Sequence, residues 1–336
     1  VSPLNEGIKV TDDRLWRDAK FFREITDAVQ VLDKTAKRMR KQRLKRGSIS
    51  FDNQEVSFEL DETGKPIGIK FKHQKDANKL IEEYMLLANR HVATFLKKKG
   101  VCINRAHAEP NSDKLKSLKV FIEPLGYDIK INNPGEITKT LNQLLIDVKG
   151  TAEENMIGNL VIRTMQKAVY TTENIGHYGL GFKDYAHFTS PIRRYPDVLI
   201  HRMLGRVLEG KEGMKVSKLE VRCKHCSDME VKAQKASRDS IKFKQCEYLK
   251  GKIGKIYLGM VTSVQDYGIF ITIPENGCDC LVKLSGITGT WTSDTNSHQI
   301  KEFNTGEVIR LGDEVTIVIS GVDIEKRTID ATIIRL

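Results

Sequence analysis

Apolar residues recur at mostly three- and four-residue spacing from residue 12 to 46, and Leu15, Trp16, Phe21, Phe22, Ile25, Val29 and Leu32 predict one long helix. The helix runs into a Lys- and Arg-rich stretch, KTAKRMRKQRLKRG, and Gly47 predicts its end. From Ser48 to Lys72 polar and apolar residues alternate as in strands, with a turn at Gly64-Lys65-Pro66. A second helix is predicted from Lys75 to Lys99, with Leu80, Tyr84, Leu87, His91 and Phe95 along one face and Gly100 after it. Several helices are expected between 110 and 170, including SDKLKSLKVFIEPLG and EENMIGNLVIRTMQKAVY. YPDVLIHRMLGRVLEG and residues 216–249 also read as helices. Near residue 250 the pattern changes to short alternating strands with glycine turns. Five such strands in about 85 residues predict a small closed barrel of the OB type. The fold class expected is α+β, a mixed domain over 1–249 followed by an all-β barrel over 250–336.

Composition narrows the function. The chain has 336 residues, enough for two or three domains, with 40% hydrophobic and 29% charged residues, as in a soluble globular protein. There is no apolar run long enough for a membrane span and no apolar signal-peptide core near residue 1. Six cysteines in this length fit a reducing compartment, so a cytoplasmic location is expected. Lys and Arg number 55 against 44 Asp and Glu, a net charge of +11 that favours a polyanionic partner, nucleic acid before membrane. Composition alone leaves an inert basic surface equally open.

The most distinctive segment is HYGLGFKDYAHFTSPIRRYPDVLIHR, residues 177–202, which gathers cations and aromatics around a Ser-Pro turn. Pro191 stiffens the turn, so Arg193 and Arg194 are candidates for presentation to a phosphate, which arginine contacts bidentately. The competing reading is a buried ion-pair hub with Asp197 or Asp184. Cys223-x-x-Cys226 lacks a second pair in the same domain, so a structural role is favoured over zinc. No Walker loop, dinucleotide glycine motif or Ser-His-Asp signature is found.

GHYGL followed by YAHFTSPIRRYPDVLIHR closely resembles the signature of the ribonuclease II and ribonuclease R family, hydrolytic exoribonucleases that digest RNA from its 3′ end. GSISFDNQEVSFELDETGKPIGI, KDANKLIEEYMLLAN and INRAHAEP resemble further family stretches in the same order, and the likeness is nearer to ribonuclease R. The resemblance implies that Arg193 sits near the scissile phosphate, that Glu82 contacts the nucleotide at the 3′ end, and that Phe51 stacks on terminal bases. Without it, Glu82 reads as a solvated helix residue and Phe51 as strand core. Tyr185, His187 and Tyr195 are expected to pack around the site. The barrel resembles an RNA-binding domain of the ribosomal S-one type. Tyr267 and Phe270 are its candidate aromatics, and Lys283 stands where many relatives carry His. Lys keeps a charge there but loses the stacking plane, so this face is expected to bind by charge rather than stacking. Phe270 could equally pack inside the barrel.

The resemblance also implies magnesium, held in relatives by an aspartate cluster spaced Asp-x-x-x-x-x-Asp-x-Asp-Asp. That cluster is expected upstream of Phe51 and is not found here; Asp12-Asp13 is the only adjacent pair near the start. No metal ligand is therefore assigned. The reading is the C-terminal part of a 3′-to-5′ exoribonuclease acting on single-stranded RNA as a monomer, with an N-terminal part elsewhere. The alternative is an RNA-binding protein that keeps the fold without the chemistry.

Overall fold

The computed structural model describes residues 19–49, 55–72, 74–100, 102–151, 153–211, 216–295 and 297–334. Leu15, Trp16, Asp12, Asp13 and Phe51 lie outside these. Helix α1 (Ala19–Lys45) ends at Gly47, whose φ of 100° is the left-handed conformation glycine tolerates. It packs on α2 (Asp76–Lys98), and a hairpin of β1 (Glu55–Leu60) and β2 (Pro66–Lys72) lies between them in sequence. The hairpin turns at Asp61, whose carboxylate accepts hydrogen bonds from the Thr63 and Lys65 amides.

Two predicted helix faces are corrected. On α2 the buried positions are Glu83, Leu86, Asn89, Ala93 and Leu96, whereas His91 and Phe95 are exposed. The helix is held from two sides, by α1 and by the segments after residue 185, and polar Glu83 and Asn89 belong to the buried stripe. On α1, Ile25 and Leu32 are exposed, and Ala36 and Arg43 are buried.

Helices α3 (Ser112–Ile122), α4 (Pro134–Asp147) and α5 (Glu154–Thr164) enclose one core around Leu118, Ile122, Leu141, Ile157 and Val161. Asn111 and Asn133 cap α3 and α4 by accepting from amides of the first turn. The predicted helix over EENMIGNLVIRTMQKAVY stops at Thr164. Its end instead forms β4 (Val169–Thr171), antiparallel to β3 (Asn104–Ala106). Tertiary pairing with β3 supplies backbone partners there, and β-branched Val169 and Thr171 suit the extended form. A second core joins α2 to α6 (Tyr195–Leu208) and the first half of α7 (Val216–Lys250) through Leu96, Leu199, Ile200, Leu219 and Cys223.

At 35 residues, α7 is about 50 Å long. Its last turns place Cys246 and Leu249 in the core of the C-terminal barrel. That barrel closes in the order β11-β12-β7-β6-β5, with β5 (Ile256–Gln265), β6 (Gly268–Ile273), β7 (Cys278–Lys283), β11 (Glu314–Asp323) and β12 (Thr328–Ile333). β12 pairs with β7 in parallel, the others antiparallel, giving the five-stranded closed barrel expected. Between β7 and β11 a three-stranded sheet of β8 (Trp291–Asp294), β9 (Gln299–Glu302) and β10 (Val308–Arg310) was not anticipated. Its strands of three or four residues, such as WTSD and QIKE, are too short and polar to show an alternating signal.

Ile269, Ile271 and Ile273 fill the barrel, so Phe270 between them points outward and is half-buried. Gly268 follows the two-residue turn Asp266-Tyr267 and has no room for a side chain: a Cβ there would stand 2.4 Å from the Val282 carbonyl oxygen. Gly268→Ala is therefore expected to destabilise the barrel by about 1–3 kcal/mol or more. Gly321→Ala, with open space around its Cβ, should stay within about 0.5 kcal/mol. Denaturant unfolding of the two variants checks the contrast.

Candidate RNA-binding and phosphate site

The segment after residue 185 is fastened to α2 by one buried amide. Asn89 Oδ1 accepts from the Phe188 and Thr189 N–H groups at 2.9 and 3.1 Å, and its Nδ2 donates to the Tyr185 hydroxyl at 3.2 Å. The next fastening is Asp197, fully buried in the first turn of α6, where a carboxylate also complements the helix dipole. Its Oδ1 accepts from the Ser190 amide at 2.7 Å and from Arg194 Nη2 at 2.8 Å. The Arg193 and Arg194 amides both donate to the Ser190 carbonyl, which closes the turn.

The two arginines therefore have opposite fates. Arg193 is exposed, beside the fully exposed Ile192, and pairs with no carboxylate among the described residues. The Arg194 side chain is turned inward onto Asp197 and is 18% exposed. The turn does not present two guanidinium groups; the ion-pair hub with Asp197 takes Arg194. Asp184 is not part of that hub, since it binds Lys97, Thr94 and Asn174.

Glu82 is partly exposed on α2, and the side chain beneath it explains why it is held. Arg43 of α1 is buried and reaches Glu83 at 2.5 Å, Ser48 Oγ at 2.6 Å and Glu82 at 3.8 Å. Ser48 Oγ donates in turn to the Gly179 carbonyl, which also accepts from the Ile49 amide. Asn142 donates to the Ser48 carbonyl. One guanidinium thus ties Glu82, the residues just before Phe51, and the GHYGL loop to a single point. In the sequence Arg43 is one cation of the basic run KTAKRMRKQRLKRG. Only its place on the buried side of α1, across from a doubled Glu82-Glu83, distinguishes it.

Behind the turn lies a knot of rings. Arg105 pairs bidentately with Glu230 of α7 at 2.5 and 2.9 Å and stacks 4.6 Å from the Tyr170 ring. The Tyr170 hydroxyl bonds His187 Nδ1 at 2.8 Å, and Tyr185 packs edge-on against both His177 and His187. His107 Nδ1 accepts from the Gly179 amide, so its proton sits on Nε2 and is donated to the Gln166 carbonyl at 2.7 Å. Burial pushes His177 down to about 3, helped by the nearby His107 and Arg105. Burial first, then Arg194 and Arg105, pushes His187 down to about 2. Tyr185 and His187 thus pack around the site, while Tyr195 remains exposed.

On the barrel, Tyr267 is exposed at the β5–β6 tip and meets Phe270 edge-to-face at 6.3 Å. Lys283 lies opposite Gly268 on the same outer face and pairs with Asp330 at 3.3 Å. Cys223 and Cys226 are buried in the core around α7, and burial raises both thiols, Cys223 to about 12. Among the described residues no three His, Cys, Asp or Glu side chains gather as a metal ion requires. These residues do not fit a magnesium site, and no step through a metal is assigned to them.

A mixed domain carrying this turn, followed by a five-stranded closed barrel, is an architecture that comparison with known proteins identifies. Residues 6–210 match the RNB domain and residues 250–334 the S1 RNA binding domain; the chain belongs to the RNB family. It is 35% identical over 321 residues to the ribonuclease R of Aquifex aeolicus, covering 94% of this chain and 45% of that protein. With the ribonuclease R of Escherichia coli it shares 31% identity over 94% of this chain and 40% of the relative. The structure of Mycoplasma genitalium RNase R in complex with ribose methylated single-stranded RNA superposes with a TM-score of 0.87 at 26% identity, over 98% of this chain and 52% of that one. The chain thus spans about half the length of the relatives it matches. Among the described residues, no helix is long and apolar enough to cross a membrane.

Two outcomes follow from the buried charges and rings. Arg43→Met leaves Glu83 buried without its partner and is expected to cost about 3–5 kcal/mol in denaturant unfolding. Lys41→Met, on the exposed side of the same helix, should cost no more than about 0.5 kcal/mol. His177 and His187 are neutral in the fold but bind protons once unfolded below about pH 6.5. Their contribution is therefore complete above about pH 6.5 and is lost as pH falls toward about 3, by up to about 1.4 kcal/mol per pH unit for each. Thermal midpoints should drop from pH 7 to pH 5, and more shallowly in His187→Asn; a flat profile contradicts the assignment.

Proposed function

We propose that this chain is the RNA-gripping part of a 3′-to-5′ exoribonuclease of the ribonuclease R type, which releases 5′-mononucleotides from single-stranded RNA. One observation carries the reading: a rigid turn leaves Arg193 exposed and free of carboxylates among the described residues, while its neighbour Arg194 is neutralised by Asp197. An arginine so held can donate paired hydrogen bonds to a phosphate and stabilise charge that develops on it. Glu82 accepts from the sugar hydroxyls at the 3′ end, and Phe51 stacks on the last bases. Tyr267, Phe270 and Lys283 guide the strand across the barrel, by stacking more than by charge because Asp330 answers Lys283.

Magnesium and its aspartates come from polypeptide outside the described residues, in a cytoplasmic enzyme that works as a monomer. The net charge of +11 supports a backbone-dominated, salt-sensitive affinity for RNA. A second reading, an RNA-binding protein without hydrolysis, draws on the lack of a carboxylate cluster among the described residues.

The test is digestion of 5′-labelled single-stranded RNA by this chain, with Mg²⁺ and with EDTA. The expected result is little or no shortening, with RNA still retarded on a gel. Full Mg²⁺-dependent shortening by the chain alone would overturn the division of labour proposed. In a longer protein that carries the aspartates, Arg193→Gln should lower the single-turnover rate by about 10²–10³ and change RNA affinity much less. No hydrolysis by that longer protein would favour the second reading.

A further inference from the structure

Buried polar atoms without a partner are rare in folded proteins and call for a specific explanation. Four side-chain atoms among the described residues are of this kind: Thr189 Oγ1, Arg194 Nε, Asp197 Oδ2 and Asn276 Nδ2. Three of the four fall within nine residues, on and beside the turn that carries Arg193. Two belong to groups already in contact, because Arg194 Nη2 and Asp197 Oδ1 are 2.8 Å apart. Thr189 directly precedes Ser190, whose amide donates to the same Asp197 Oδ1.

We propose that Thr189, Arg194 and Asp197 hold one internal water molecule beneath the Ser190–Arg194 turn. The donor and acceptor inventory selects water over other small ligands. Arg194 Nε can only donate, Asp197 Oδ2 only accept, and the Thr189 hydroxyl does either. A ligand that satisfies all three must accept one hydrogen bond and donate another. A metal cation would face the guanidinium with a single carboxylate oxygen to hold it, and an anion would face Asp197. Water fits both, with the three polar contacts that internal waters usually make. Such a water completes the shell of the Arg194–Asp197 pair and keeps both groups turned inward, which leaves Arg193 as the arginine directed to solvent. The inference rests on the burial of these three atoms, their lack of partners and the contacts that join their groups, and it is independent of the proposed nuclease function.

Crystallographic density for the chain, at a resolution where ordered solvent is seen, tests it directly. A peak within hydrogen-bonding distance of all three atoms is expected; protein atoms filling the space, or no peak, would overturn the proposal. A second measurement depends on sign. Without a water, the Thr189 hydroxyl is an unpartnered buried group, and Thr189→Val would be neutral or stabilising. With it, Thr189→Val strands the water and is expected to lower the folding equilibrium constant roughly tenfold, whereas Thr189→Ser, which keeps the hydroxyl, stays within about twofold. Neutral or improved stability of the valine variant contradicts the proposal, as does an equal loss in both variants, which would trace to packing of the methyl group.

Discussion

The buried side-chain amide of Asn89 is the constraint on which the candidate site depends. It sits on α2, the helix that also carries Glu82 one face-repeat earlier, and it fixes the Phe188 and Thr189 backbone just before the turn of Arg193. Two groups far apart in sequence are thereby referred to one rigid element. An amide is suited to this because it accepts and donates at once, so the Tyr185 hydroxyl is held by the same side chain that holds the backbone. An apolar residue at 89 would leave two partly buried N–H groups without their acceptor, a loss that packing there would have to offset.

Electrostatics then separates residues that composition treats alike. Arg43, Arg105 and Arg194 each meet a carboxylate, from Glu83, Glu230 and Asp197 respectively, and serve the fold. Two of these pairs couple distant elements, α1 to α2 and β3 to α7, and the third fixes the turn to the first turn of α6 directly after it. Burying these pairs is not itself a strong source of stability, but it makes their partners costly to remove and their geometry specific. Arg193, exposed, meets no carboxylate among the described residues. α7 extends the same order to the barrel, with Glu230 near its middle at the ring knot and Cys246 and Leu249 of its last turns in the barrel core.

Much of this was legible in the residues themselves. The long helices, the closed barrel and the Ser190-Pro191 turn follow from local signals: periodicity, glycine position and the stiffness of proline. What was not legible is non-local. Which face of α2 is buried depends on partners on two sides, and the polar Glu83 and Asn89 break the apolar stripe that periodicity looks for. The inward turn of Arg194 depends on Asp197 three residues on, and the two readings of that pair were indistinguishable until the backbone was placed. The sheet of β8, β9 and β10 escaped because its strands are shorter than the alternation needed to detect them. Phe270 is half-way: alternation says that it and Ile269 face opposite sides, but only the closed barrel says which side is out.

The most direct measurement is a crystal structure of this chain with a short single-stranded RNA. A strand with its 3′-terminal phosphates within hydrogen-bonding distance of Arg193, and its last sugar at Glu82, is the predicted result. RNA found only on the barrel, or phosphates bound elsewhere while Arg193 faces solvent, would contradict the account.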